Sequence, residues 1–478
     1  MDFLNDIKED TILIIPNNLK EKVLKYIDSL NKLINVKIFS LDELKKKIYF
    51  DYDNKAILYL MDNYHYKYEV SKVLLNNMYY IDDKKYSSMK LNHLVKLKNE
   101  LKAFSLLKED HAFLEFINQK HVIVYGYDYL DKFNKRMLSN FTDVTIVDKF
   151  CNYKREWVVY SLDTIFDEVN FVLSQISQLL DNQIEIHKIK ITNIDSSYYH
   201  AFLTLSRLYN IPIKLPTEES IFSTVCCNEF VNILNSSVSL EEAIKKWDES
   251  IMIDDNNLTI YNKIIGICNR YTDSQFSFSS IKEAIIYDLK TTKISDFHLE
   301  NYVEVVPFNN SVFDYDEYVF LMNFNQGNTP LMNKDEDYIS DNLKEEVDLD
   351  CTNVKNTFAK EAFIHNMKSI NHLTITYKLR SIKDEFYPSN LMKELNMTEK
   401  QGEINTIYSK SYSEIVLGRM LDDLIKYDIK DQNLALYYHS LKIPYMKYNN
   451  QFTGITRESL LNKISSKLLL SYSTIDHF

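Results

Sequence analysis

The sequence predicts an α/β protein with two successive parallel sheets, each interrupted by a helical insertion, and then a helical C-terminal segment. Three observations predict this. Short β-branched apolar runs alternate with amphipathic stretches, the order in which parallel sheets are built. The alternation breaks twice, at about 55–118 and about 219–298, where the apolar spacing stays helical. After about residue 395 the strand signals stop. The expected units are therefore 1–150, 151–395 and a helical segment 396–478.

The first unit opens with "TILIIP" (11–16), a buried-strand pattern ended by proline, followed by helical spacing through Leu19, Val23, Tyr26 and Leu30. "VKIFS" (36–40) is the next strand, and Ser40 with Glu43 predicts a capping box opening a helix. After the first insertion, "HVIVYGYDYL" and "VTIVDKF" return to strand, glycine turn, helix and strand. The second unit begins with "EWVVYSL" and a helix whose apolar face carries Ile165, Val169, Val172, Ile176 and Leu179. "IHKIKITNI", "IPIKL", "NYVEVVPF", "EYVFLMNF" and "HLTITYKL" supply further strands. Ser239/Glu242 and Ser280/Glu283 predict capping boxes in the second insertion.

Composition narrows the classes. At 478 residues and 45% hydrophobic, the chain can bury several cores. A net charge of −12 excludes a uniformly basic surface, though not a basic groove on an acidic body. Cys151, Cys226, Cys227, Cys268 and Cys351 lack zinc-ligand spacing, and five scattered cysteines lead us to expect a reducing cytoplasm. No apolar run reaches the roughly 18 residues a membrane span needs, and the charged N-terminus is unlike a signal peptide, so no membrane partner is expected.

The candidate sites are few. A phosphate loop needs glycine after the first strand, whereas here Pro16 runs into "NNLKEK", so the first sheet is not expected to hydrolyse ATP and Lys20 reads as a solvated helix lysine. Asp128 follows the Gly126 turn and reads as a metal ligand or, with better reason, a turn or capping residue. The acidic run with Asp335, Glu336, Asp337 and Asp341 reads as a cation collector or a solvated loop. Glu43/Lys45 and Glu100/Lys102 imitate half of a nuclease motif but fall in helices. No GxSxG or HExxH occurs, and no catalytic residue is assigned. One place remains: "NFNQGNTP" puts Asn325, Gln326, Gly327 and Asn328 at the carboxyl end of a strand, where α/β proteins bind ligands. These residues read either as a nucleotide- or DNA-phosphate contact or as a surface turn with glycine at positive φ.

The order of these motifs resembles that of a known family. "VYGYDYLDKFNKRML" is similar to a glycine-turn segment of UvrD-like helicase relatives, and "SLDTIFDEVNFVLSQISQLL" to the entry of their second motor domain. "YYHAFLTLSRLYNIPIKLP", "EYVFLMNFNQGNTP", "DYISDNLKEEVDLDCT" and "HLTITYKLRSIKDEFYPSNLMKEL" resemble successive later segments, and "LLLSYSTIDHF" the lead-in to a PD-(D/E)XK nuclease domain. In sequence they resemble the B subunit of AddAB-type helicase–nucleases, the inactivated helicase region of a PD-(D/E)XK nuclease family protein. The resemblance implies two RecA-like domains of the UvrD type, a role in processing double-strand DNA breaks, DNA as ligand and a helicase A-subunit-like partner. It implies Mg2+ and, in many members, an iron–sulfur cluster in a nuclease domain expected beyond Phe478, with no cofactor in this chain. The expected function is a non-hydrolysing, helicase-like DNA-binding scaffold whose lysines and aromatics contact DNA. The alternative is a scaffold that only docks a helicase partner.

Overall fold

The computed structural model describes residues 3–4, 10–31, 35–216, 220–251, 257–272, 275–294, 301–381 and 383–441. In the first unit the strands are β1 (Thr11–Ile14), β2 (Val36–Phe39), β3 (Asp51–Tyr52), β4 (Leu107–Lys108), β5 (His121–Tyr125) and β6 (Val144–Val147). Four of them form a parallel sheet in the order β2-β1-β5-β6. β1 sits in the middle and is buried at every position, which is why "TILI" carries no polar alternation. The Ser40/Glu43 capping box forms as expected, opening the helix Leu41–Ile48.

The second unit contains β7 (Val158–Leu162), β8 (Ile189–Thr192), β9 (Ile213–Lys214), β10 (Val303–Val306), β11 (Tyr318–Leu321), β12 (His372–Lys378) and β13 (Thr398–Gln401). They form one parallel sheet in the order β13-β7-β12-β11-β8-β10-β9. Helices cover both faces. Ile165–Asp181, with Val169, Val172 and Ile176 buried, packs beside Tyr199–Tyr209 on one face. Thr352–Ser369 contributes Phe363 and Met367 to the other. β11 shows the period of two that this needs: Phe320 enters the first core, Val319 and Leu321 the second.

Several expectations are corrected. The stretch 55–118 is helical except for β4, which pairs antiparallel with β3 at the foot of the insertion. The second sheet does not end near 395, because β13 adds to its edge beside β7. β13 is exposed at all four positions and has no apolar signature, since a paired edge strand needs only its backbone. The predicted Ser280/Glu283 capping box does not form: Ser277 caps the helix Phe278–Thr291 instead, and Glu283 accepts a bond from the Tyr68 amide at 2.8 Å. The segment from 396 is helical over Lys410–Tyr427 and Leu434–Ser440, and "LLLSYSTIDHF" lies outside the described residues.

The two insertions are not separate bodies. Their apolar residues share one core running from Phe50 and Leu58 through Leu94 to Phe230, Trp247 and Ile285. Asp62 of the first accepts from the Ser277 amide at 2.8 Å and from the Ser277 and Ser280 hydroxyls at 2.7 and 2.6 Å. Asn54 donates to the Tyr271 hydroxyl at 2.6 Å, which in turn donates to Asp288 at 2.9 Å.

Candidate functional site

Parallel α/β sheets offer ligands the carboxyl ends of their strands, and the two sheets treat this edge differently. In the first, β1 runs into Pro16 and a short 3-10 turn, Asn17–Leu19, before the helix Lys20–Ser29. The Asn18 amide donates to the Asn310 carbonyl at 3.1 Å and the Ser311 hydroxyl at 3.0 Å. Lys20 forms an ion pair with Glu43 at 2.7 Å rather than standing free. β5 runs into Gly126 at φ +86°, and Asp128 follows. Both Asp128 oxygens are taken: one by the Lys149 ammonium and the Asn366 amide (3.0 Å), the other by the Asn310 amide (3.0 Å). Asp128 lies in the bend after Gly126, the turn position expected of it, and its pairing with Lys149 and Asn310 was not anticipated from the sequence. A cavity of about 680 Å³ opens beside this edge, lined by Asn17, Asp42, Tyr80, Tyr127, Asp131 and Asn309 among others.

The acidic run collects a cation of its own. Lys344, with only 1% of its side chain exposed, lies 2.8 Å from Asp337, 2.8 Å from Asp341 and 3.7 Å from Asp335. Lys344 is the chief cause that holds the Asp341 carboxyl down to about 2. Among the described residues, no group of three or more His, Cys, Asp or Glu side chains is placed to hold a metal ion. Glu43 belongs to a capping box and Glu100 accepts from the Tyr59 and Tyr64 hydroxyls, so neither imitated nuclease triplet forms a site.

In the second sheet, β8 leads to a helix on one face while its neighbour β11 leads to a helix on the other. Adjacent strands whose continuations diverge leave a crevice at their carboxyl ends. A buried polar network fills it. Glu168, wholly buried in the helix Ile165–Asp181, accepts from the Tyr198 hydroxyl (2.6 Å), the Asn323 amide (2.8 Å) and the Thr376 hydroxyl (2.7 Å). Lys378, at the end of β12, donates to the Tyr198 hydroxyl at 2.9 Å and to Asn323 Oδ1 at 2.8 Å. Burial pushes the Glu168 carboxyl up and the Lys378 ammonium down from their ordinary ranges. Asn193 donates to the Met322 carbonyl at 2.8 Å and the Thr329 hydroxyl at 2.9 Å, tying β8 to the turn after β11.

The four residues expected at this site divide. Asn325 is fully buried, and its amide donates to the Lys378 carbonyl (2.8 Å) and the Tyr387 carbonyl (3.2 Å), which makes it a brace between β11 and the chain after β12. Asn328 is half-buried and donates to Asn323 Oδ1 at 3.1 Å. Gln326 and Gly327 are exposed at the rim, with Gly327 at φ +88° and open space around its α-carbon. Tyr387, 64% exposed, stands beside them, its carbonyl accepting from the Gln326 backbone amide at 2.9 Å. Sequence reasoning missed Glu168, Asn193, Asn323 and Lys378. Two of them carried a signal, a carboxylate beside the apolar face of a helix and a lysine inside the strand "HLTITYKL".

No protein-family model matches the chain, and a search among curated proteins gives no match. No helix of the described residues is long and apolar enough to cross a membrane.

Proposed function

We propose that the chain is a helicase-like scaffold that binds single-stranded DNA without hydrolysing nucleotide, as the AddB-type part of a nuclease that processes broken DNA ends. In this reading the two parallel sheets are RecA-like units of the UvrD type. The observation that carries it is the turn after β1. A motor needs a glycine-rich turn there whose backbone amides can cradle phosphates, whereas this turn opens with Pro16, which has no N–H, contains no glycine, and has its Asn18 side chain bonded across to Asn310 and Ser311. DNA would follow the carboxyl rim of the second sheet, where Gln326 and the Gly327 backbone meet phosphate and Tyr387 stacks on a base. Asn325 and Asn328 hold that rim in shape. The Mg2+, iron–sulfur and nuclease chemistry implied by the resemblance is assigned to no described residue, and an A-subunit-like helicase is the proposed partner.

A rival reading, a scaffold that docks a partner without touching DNA, draws on the net charge of −12 and on exposed Leu331, Met332 and Val354. Anisotropy of labelled oligothymidylate between 50 and 200 mM salt separates the two. The DNA reading expects a fall in affinity of about tenfold or more from counterion release, and a Gln326→Ala/Tyr387→Ala variant weaker by about tenfold at fixed salt. Absent or salt-independent binding would transfer the case to the docking scaffold. Millimolar Mg-ATP is expected to leave the melting temperature unchanged, and a rise would end the non-hydrolysing reading.

A further inference from the structure

The connection between β10 and β11, Pro307–Glu317, steps over β8, which lies between those two strands in the second sheet, without a helix. Parallel crossovers normally use a helix to cover the sheet face. Here the segment lays Phe308 and Phe313 on the sheet, and its other side is covered by the first unit.

Three carboxyl ends of the first sheet converge on it. After β1, Asn18 donates to the Asn310 carbonyl and the Ser311 hydroxyl at 3.1 and 3.0 Å. After β5, Asp128 and Asn310 exchange bonds: the Asp128 amide donates to Asn310 Oδ1 at 2.8 Å and the Asn310 amide to Asp128 Oδ2 at 3.0 Å. After β6, Lys149, with 3% of its side chain exposed, pairs with Asp128 and donates to the Ser311 carbonyl at 3.1 Å. From the helix Lys20–Ser29, Lys22 reaches the Val312 carbonyl (2.9 Å), Asp314 (2.8 Å) and Glu317 (3.1 Å). Val312 packs against the core of Leu13, Leu19 and Val23. The segment is stapled internally as well, the Asp314 amide donating to Glu317 at 2.6 Å. Asn310 takes the left-handed turn, at φ 54°, that turns its amide and side chain together onto Asp128.

We propose that Pro307–Glu317 is a strap that fastens the two α/β units in one arrangement, forms one wall of the cavity at the carboxyl edge of the first sheet, and engages from within the chain the Asn18, Asp128 and Lys149 side chains that an anionic ligand would meet there. A pair of sheets strapped in this way does not open and close. The strap places the Asp128 carboxylate at that edge and commits the Lys149 ammonium to it, so a phosphate would meet a fixed negative charge and no free cation among these contacts.

Hydrogen exchange read by mass spectrometry on the whole chain tests the strap without reference to DNA, so it can fail while the DNA reading stands, and the reverse. In Asn18→Ala/Lys22→Ala, amides at 310–312 and 126–129 are expected to exchange about tenfold faster, with β11 and β12 unchanged. Unchanged exchange at 310–312, or an equal rise in β11 and β12, would overturn the strap, because these contacts would then be idle or serve only general stability. If the double variant fails to fold, Lys22→Gln alone keeps the question open to measurement. It removes the two ion pairs and the ammonium's bond to the Val312 carbonyl, and is expected to quicken exchange at 312–314 alone; no local change there would count against the proposal.

Discussion

Gly126 and Gly327 share a positive φ, +86° and +88°, yet meet different surroundings. A Cβ on Gly126 would collide with Leu19 Cδ1 and come within 3.2 Å of Pro16 Cδ, while one on Gly327 meets nothing within 4 Å. Gly126→Ala therefore suffers backbone strain and a clash with the turn after β1, about 3 kcal/mol together, against about 1 kcal/mol for Gly327→Ala. Urea unfolding of the two variants checks this, and equal losses would mean that the Leu19 side chain yields freely. The sequence marked both glycines as turns. It could not separate them, because the difference lies in a side chain from a distant strand's turn. Asn325 carries the same lesson in reverse: read as a polar rim residue, it is a buried brace because the backbone after β12 returns to meet it.

At the scale of the element, the acidic run and the helix it precedes form one device. Lys344 binds the Asp341 carboxylate, and the Thr352 amide and hydroxyl donate to it at 3.0 and 2.8 Å. The folded Asp341 therefore sits near 2, below the roughly 3.9 of an unfolded chain. Its contribution is present above about pH 4 and is lost as pH falls toward 2. Exchange protection at Thr352 is expected to decline across that window and, in Asp341→Asn, to lose most of this pH dependence. An unchanged pH profile in the variant would assign the effect to Asp337 or Asp335. The cluster itself was visible in the sequence, whereas its counter-ion was not, since a lysine among glutamates reads as a solvated helix residue until burial is known. β13 was illegible for a related reason, its exposed side chains recording nothing of the backbone pairing with β7.

At the scale of the molecule, the joined insertions share one helical core, and they are expected to unfold as one cooperative unit. Asp62→Ala leaves the Ser277 amide and hydroxyl and the Ser280 hydroxyl without their acceptor, a loss of about 2 kcal/mol. The two tryptophans report separately: Trp247 lies in the shared helical core and Trp157 against the second sheet. In a Trp157→Phe background, Asp62→Ala is expected to lower the denaturation midpoint seen by Trp247 in one transition. A midpoint at Trp247 left unchanged by Asp62→Ala would show that the insertions unfold independently and that their shared core is weak.

The sequence by itself determined the α/β class, ten of the strands and the turns at their ends, because apolar periodicity and β-branching act locally and strands buried on both faces must be apolar throughout. It also determined that the turn after β1 lacks the glycines of a phosphate loop. Only the tertiary structure decided the joining of the insertions, the strap across the first sheet and the polar filling of the second sheet's crevice. Each depends on pairs such as Asn18 with Asn310, Asp62 with Ser277 and Glu168 with Thr376, which lie far apart along the chain. Asparagine, aspartate and serine are equally at home in water, so their sequence carries no sign of which will be buried and bonded. That is settled by where the apolar elements bring them together.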